Sequence, residues 1–237
     1  MKDKIKFVAF DADDTLWENE LYFQEFEQEF CKLLGRYMPA DSISRELFDT
    51  EMKNLYMYGY GLKSMMLSMI ETACRISANS VDIHCIEDII KYGQELLQRP
   101  VALLEGVEEV LLQLRGKYKL VLATKGDLFD QKRKVVSSGL QECFFHIEIM
   151  TDKKCADYQK LLAHLGCQPE EFLMIGNSAK SDILPVLKLG GCAAHVPHHI
   201  TWAHEQLEGK IDHPDCILLG SIREILPILD GAVEITD

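Results

Sequence analysis

Three carboxylates, Asp11, Asp13 and Asp14, fall within four positions directly after the apolar run 5–10. A run of that length, rich in Val, Ile and Phe and bounded by polar residues, reads as a buried β-strand. Carboxylates at the carboxyl end of such a strand stand where open α/β sheets bind ligands. On an extended segment Asp11 and Asp13, two apart, point to the same side. Carboxylates crowded in this way repel one another, and a cation or a shared proton relieves them. The ordinary alternative is an acidic turn in which Asp14 or Thr15 starts a helix.

Other polar residues close other apolar runs. Thr124 follows 120–123, Lys153 follows the run ending at Met150, and Asn177 and Asp182 follow 172–175. Each has an ordinary reading by itself: Thr124 as a strand end, Lys153 as a solvated lysine, Asp182 as an acid favoured at a helix start. Packing gives no reason for Asp-x-Asp, Thr, Lys and Gly-Asn-x-x-x-x-Asp to recur at four strand ends.

The elements that must position these residues change character at Pro100. Before it, apolar residues recur every three or four positions over 18–37, over a second helix carrying Leu47, Phe48, Met52, Leu55 and Tyr56, and over 62–76 and 81–97. Pro39 stops the first helix, Asp41 or Ser42 is placed to cap the second, and Gly59-Tyr60-Gly61 separates the second from the third. The run Met65, Met66, Met69 reads as helix core rather than a cofactor surface. After Pro100, helices over 106–114, 127–138, 158–165, 182–189 and 221–229 alternate with strands over 120–123, 144–150, 172–175, 193–196 and 216–219. Strands alternating with helices imply an α/β fold, a Rossmann-like parallel sheet covered on both faces. The expected organisation is a core of 1–15 and 100–237 with an inserted α-helical domain over 16–99.

A chain of 237 residues has room for a core and a smaller domain. Its net charge of −13 argues against nonspecific binding to nucleic acid or an anionic membrane. The first apolar run is too short for a signal-peptide core, and no uncharged stretch approaches membrane-spanning length, so a cytoplasmic location is expected. Eight scattered cysteines without a Cys-x-x-Cys pair read as reduced thiols.

Taken together, Asp11-x-Asp13-Asp14-Thr15-Leu16, Leu120-Val-Leu-Ala-Thr124, Lys153 and Gly176-Asn177-Ser-x-x-Ser-Asp182 resemble, in order, the four motifs of the haloacid dehalogenase superfamily in its phosphatase branch. The resemblance covers nearly the whole chain, and the helical insertion resembles that family's cap. It implies Asp11 as the nucleophile that forms an aspartyl-phosphate and Asp13 as the proton donor to the leaving alcohol and later the base for water. It implies Mg²⁺ held by Asp11, Asp182 and the backbone carbonyl of Asp13. Thr124, with backbone N–H groups near Lys125 and Gly126, would bind the phosphoryl group, and Lys153 would offset its charge. Lys154 is the alternative lysine, and the spacing to Tyr158 favours Lys153.

One departure stands at Asn177, where many members of the family carry an acid. The resemblance implies that a neutral amide there would act as an auxiliary metal residue, through its carbonyl oxygen or a bound water. The expected function is hydrolysis of a small phosphomonoester. Hydrolytic dehalogenation, a phosphomutase and a phospho-ligand binder with little turnover are the alternatives on the same fold. Cys192, His195, His198, His199 and His204 are residue types that bind zinc, but the preferred reading of that segment is a loop packed by Trp202. Tyr56, Tyr58, Tyr60 and Lys63 are candidates to border the pocket. The substrate and the oligomeric state are not written in the sequence.

Overall fold

The computed structural model describes residues 4–207, 209 and 211–231. The chain divides into two compact units: Met1–Glu20, Val101–Lys125 and Gln131–Asp237, and separately Leu21–Pro100 with Gly126–Asp130.

The first unit is built on six parallel strands, β1 (Phe7–Phe10), β2 (Lys119–Lys125), β3 (His146–Met150), β4 (Phe172–Gly176), β5 (Cys192–His195) and β6 (Cys216–Leu218), in the order β3-β2-β1-β4-β5-β6. The central strands are apolar on both faces, as a sheet covered on both sides requires. Their alternate residues feed two cores. Val8, Phe10, Leu120, Leu122, Leu173 and Ile175 face one, and Phe7, Ala9, Val121, Ala123, Phe172 and Met174 face the other. Helix α5 (Val107–Leu114) and helix α9 (Ile225–Asp230) cover the first face, and α7 (Cys155–Leu165) and α8 (Leu184–Lys188) the second.

The second unit carries α1 (Glu20–Leu34), α2 (Ala40–Tyr58), α3 (Leu62–Ile76) and α4 (Ile83–Gln98). Phe26, Phe30, Leu34, Leu47, Met65 and Met69 lie in its core. Helix α2 begins at Ala40 with Pro39 in the capping position and no side-chain cap, so neither Asp41 nor Ser42 plays that part. The helical unit starts at Leu21 rather than at residue 16 because Leu16 and Trp17 are buried in the sheet core, where Leu16 accepts the Leu104 N–H at 2.9 Å. The segment Gly126–Asp130, which includes the start of α6 (Leu128–Ser137), also belongs to the helical unit.

Helix α8 departs from the expectation of one regular helix over 182–189. Residues Ala179–Ile183 wind as a π-helical turn before the helix proper starts at Leu184. Such turns accompany functional sites, because the extra residue redirects the side chains around it. Among the described residues, no helix is long and apolar enough to cross a membrane.

Candidate active site

The strand order reverses at β1, which has β2 on one side and β4 on the other. A crevice at the carboxyl ends of the strands at this switch point is where open α/β sheets take ligands. Phe10 is in register with Leu122 and Ile175, and the next residue, Asp11, donates its N–H to the Ile175 carbonyl at 2.9 Å. Asp11 is therefore fixed at the mouth of the central strand.

The Lys153 ammonium donates to Asp11 Oδ1 and, at 2.6 Å, to Asp182 Oδ1. All three side chains are buried. Its neighbour Lys154 is exposed and pairs with Asp152 at 2.7 Å. Burial pushes the Asp11 carboxyl up to about 7, the Asp182 charge adds to the rise, and Lys153 only partly opposes it. Burial also works against the Lys153 charge, but the two carboxylates outweigh it and hold the ammonium above its ordinary value. Two acids thus face one base in a site removed from water, an arrangement characteristic of functional centres.

Thr15 ties the ends of β1 and β4 together. Its hydroxyl lies 3.2 Å from Asp11 Oδ2 and 3.3 Å from Asn177 Oδ1, and it accepts the Asn177 N–H at 3.1 Å. His195, in register with Gly176 on β5, places Nε2 2.9 Å from the Asn177 carbonyl oxygen. Ser178 N–H donates to Asp182 Oδ2 at 2.9 Å, and the buried Tyr158 hydroxyl donates to the Ser181 carbonyl at 3.0 Å.

Asp13 receives three donors: Trp17 Nε1 at 2.7 Å, Gln131 Nε2 at 2.7 Å and Lys134 Nζ at 2.9 Å. Asp14 accepts the N–H groups of Asn19 and Glu20 at 2.9–3.1 Å. Thr124 is buried on β2, in register with Ile149 on β3. The Lys125 ammonium is engaged by Glu205 and, at 2.8 Å, by Ser181 Oγ. Gly126 adopts φ +142°, a conformation suited to glycine, and falls in the segment that belongs to the helical unit.

A family model for haloacid dehalogenase-like hydrolase matches residues 5–190. The chain belongs to the haloacid dehalogenase-like hydrolases. A haloacid dehalogenase-like family hydrolase from Xanthomonas campestris is 34% identical over 97% of this chain and 93% of its own, with a TM-score of 0.86. A predicted phosphoglycolate phosphatase from Haemophilus somnus shares 17% identity over 95% and 98% of the two chains, with a TM-score of 0.61. The L-2-haloacid dehalogenase from Xanthobacter autotrophicus shares 14% over 97% and 100%, with a TM-score of 0.63. No match was found among curated proteins. The fold alone therefore accommodates both kinds of hydrolase, and the chemistry has to be argued from side chains.

In this hydrolase the donors around Asp11 and Asp182 suit a hard divalent cation. The carboxylates of Asp11 and Asp182 and the Asn177 amide oxygen are hard oxygen donors of the kind such a cation takes.

Several of the hydrolase's supporting residues have no part in the sequence motifs. Trp17 stands four residues after Asp13, a spacing that carried a weak signal. Gln131, Lys134 and Glu205 reach the site only through the fold. Glu205 joins Lys125 to the hydroxyls of Ser178 and Ser181. Burial would raise its carboxyl, but Lys125 and the two hydroxyls draw it down to about 2.

The zinc reading of segment 192–204 does not hold for the residues it grouped. His195 engages Asn177, His199 packs on His198 with ring centroids 4.2 Å apart, and His204 packs on Trp202 at 4.9 Å. Of that segment, His198 alone joins a group of three potential metal ligands among the described residues, and its companions are Asp14 and Glu18.

Proposed function

We propose that this chain is a Mg²⁺-dependent phosphatase that hydrolyses a small phosphomonoester through an aspartyl-phosphate. The observation that carries the reading is the buried Asp11–Lys153–Asp182 group at the end of β1, with Asp13 two residues further on. Mg²⁺ would be held by the carboxylates of Asp11 and Asp182, the backbone carbonyl of Asp13 and the Asn177 amide oxygen. Bound there, it would offset the negative charge of the phosphoryl group and keep Asp11 ionised.

Asp11 Oδ attacks phosphorus, the P–O bond to the alcohol breaks, and Asp13 gives the departing oxygen its proton. Asp13 then takes a proton from a water molecule, whose oxygen attacks the phosphorus of the acyl phosphate and frees Asp11. Lys153 supplies a fixed positive charge beside the nucleophile, and the Thr124 hydroxyl with the Lys125 N–H binds phosphoryl oxygens. The Lys125 ammonium stays with Glu205.

Dehalogenation uses the same nucleophile on carbon, but halide departs without a proton and needs no metal. It leaves Asp13 and Asp182 without tasks. The test is phosphate release from an aryl phosphate and a phosphometabolite panel with Mg²⁺, using Asp11→Asn as the blank. Undiminished hydrolysis by that variant, or halide release from a 2-haloacid without Mg²⁺, overturns the reading.

A further inference from the structure

Beside the Asp11 group, and sharing no side chain with it, a second set of ligating residues is partly buried in the sheet unit. Asp14 and Glu18 come from the turn after β1, and His198 from the loop after β5. One donor atom from each lies within 4.8 Å of the others. The His198 side chain is 6% exposed, Asp14 8% and Glu18 21%.

The shorter hydrogen bond of His198 puts a proton on Nδ1. Nδ1 lies 2.9 Å from the Ile200 carbonyl oxygen, which can only accept, and 3.8 Å from Asp14 Oδ1, so Nδ1 is the donor. The Ile200 N–H is a poorer neighbour of the same nitrogen, at 3.4 Å. In the neutral ring Nε2 then presents a lone pair. That atom is buried, has no hydrogen-bond partner, and stands 3.5 Å from Glu18 Oε1. Glu18 Oε2 is also buried without a partner. A lone pair facing a carboxylate where both atoms are shielded from water is repulsive unless something positive lies between them.

We propose that Asp14, Glu18 and His198 bind a divalent transition ion of the zinc class. Zinc bonds of about 2.0–2.2 Å in tetrahedral geometry put neighbouring ligand atoms roughly 3.3–3.6 Å apart. The His198–Glu18 separation of 3.5 Å meets that requirement. A ligating histidine commonly donates its other N–H to a backbone carbonyl, which is the task of Ile200 here. The imidazole selects against Mg²⁺ and Ca²⁺, which prefer oxygen throughout. Asp14 keeps its backbone donors, Asn19 and Glu20, which hold the carboxylate in place. The ion pins the loop after β5 to the turn that follows Asp13, so its role is structural. The inference does not depend on the reaction at Asp11.

The experiment is metal binding by the full chain in excess Mg²⁺, which competes at all-oxygen sites. Zn²⁺ retained after gel filtration is measured in the wild type, Asp182→Asn, Glu18→Gln and His198→Gln. The expected result is one equivalent in the wild type and in Asp182→Asn, with affinity weakened about 10-fold or more in the other two. Wild-type histidine NMR gives a readout that does not depend on folded variants. The His198 Nε2 resonance should shift on adding Zn²⁺ while Nδ1 stays protonated. Absence of retained Zn²⁺, equal retention in the His198 and Glu18 variants, or a His198 ring protonated on both nitrogens with Zn²⁺ present overturns the proposal.

Discussion

Asp182 sets its carboxylate against the bare Cα of Gly176, so that a Cβ at position 176 would lie 2.3 Å from Asp182 Oδ2. The carboxylate cannot simply swing aside, because Lys153 holds one oxygen and the Ser178 N–H the other. Gly176→Ala should therefore displace Asp182, costing about 1–3 kcal/mol of stability, as overpacking does. On the proposed function, the Mg²⁺ concentration needed for half-maximal activity should rise at the same time. Denaturant unfolding and a Mg²⁺ titration check both effects. A variant with wild-type metal dependence would show that Asp182 does not serve the cation.

Asp11→Asn should separate stability from activity. The raised carboxyl means that the folded protein prefers Asp11 protonated, so the charge weakens the fold as pH rises from the ordinary carboxylate range through about 7. Removing the charge should leave the melting temperature nearly unchanged at acidic pH and raise it above neutrality in metal-free buffer. Phosphate release should fall to background. A variant less stable than wild type at every pH would show that the Asp11–Lys153 attraction outweighs burial and the Asp182 charge.

The sheet was legible because its central strands are apolar on both faces and sit between punctuating polar residues. Helix α3 falls at the expected residues, Leu62–Ile76, since Gly61 and a three-to-four residue apolar spacing mark it clearly. The start of α8 was not legible: a π-helical turn and an α-helix share the same residue preferences, and only the hydrogen bonds distinguish them. The motif carboxylates could be located because strand ends converge in a parallel sheet. Their supporters could not, since Gln131 reaches Asp13 across 118 positions and Glu205 reaches Lys125 across 80. Side chains at such separations leave no periodic trace.

Thr15→Val should expose the role of a hydroxyl that the motif reading passed over. Valine keeps the branched shape but leaves the Asn177 N–H without its acceptor and Asp11 Oδ2 without its contact. The expected cost is about 1–3 kcal/mol for the stranded buried donor. Turnover should drop as the Asn177 turn loosens, and Thr15→Ser should restore most of both. Valine and serine variants with equal activity would remove Thr15 from the positioning of the site.

Glu205→Gln tests whether the Lys125 ion pair braces the Asp182 turn. The folded-state carboxyl lies near 2, below its ordinary value of 4.5. The pair's contribution is therefore complete above about 4.5 and is lost as pH falls toward 2. A depression of this size corresponds to on the order of 3 kcal/mol. The glutamine variant should thus be markedly less stable than wild type near neutral pH, and the gap should close on acidification. Because Ser178 and Ser181 share the same carboxylate, its loss should, on the proposed function, also raise the Mg²⁺ concentration required, through the turn that carries Asp182. Denaturant unfolding across the acid range checks the first expectation. A stability gap independent of pH would mean that Glu205 contributes by shape and hydrogen bonding rather than by charge.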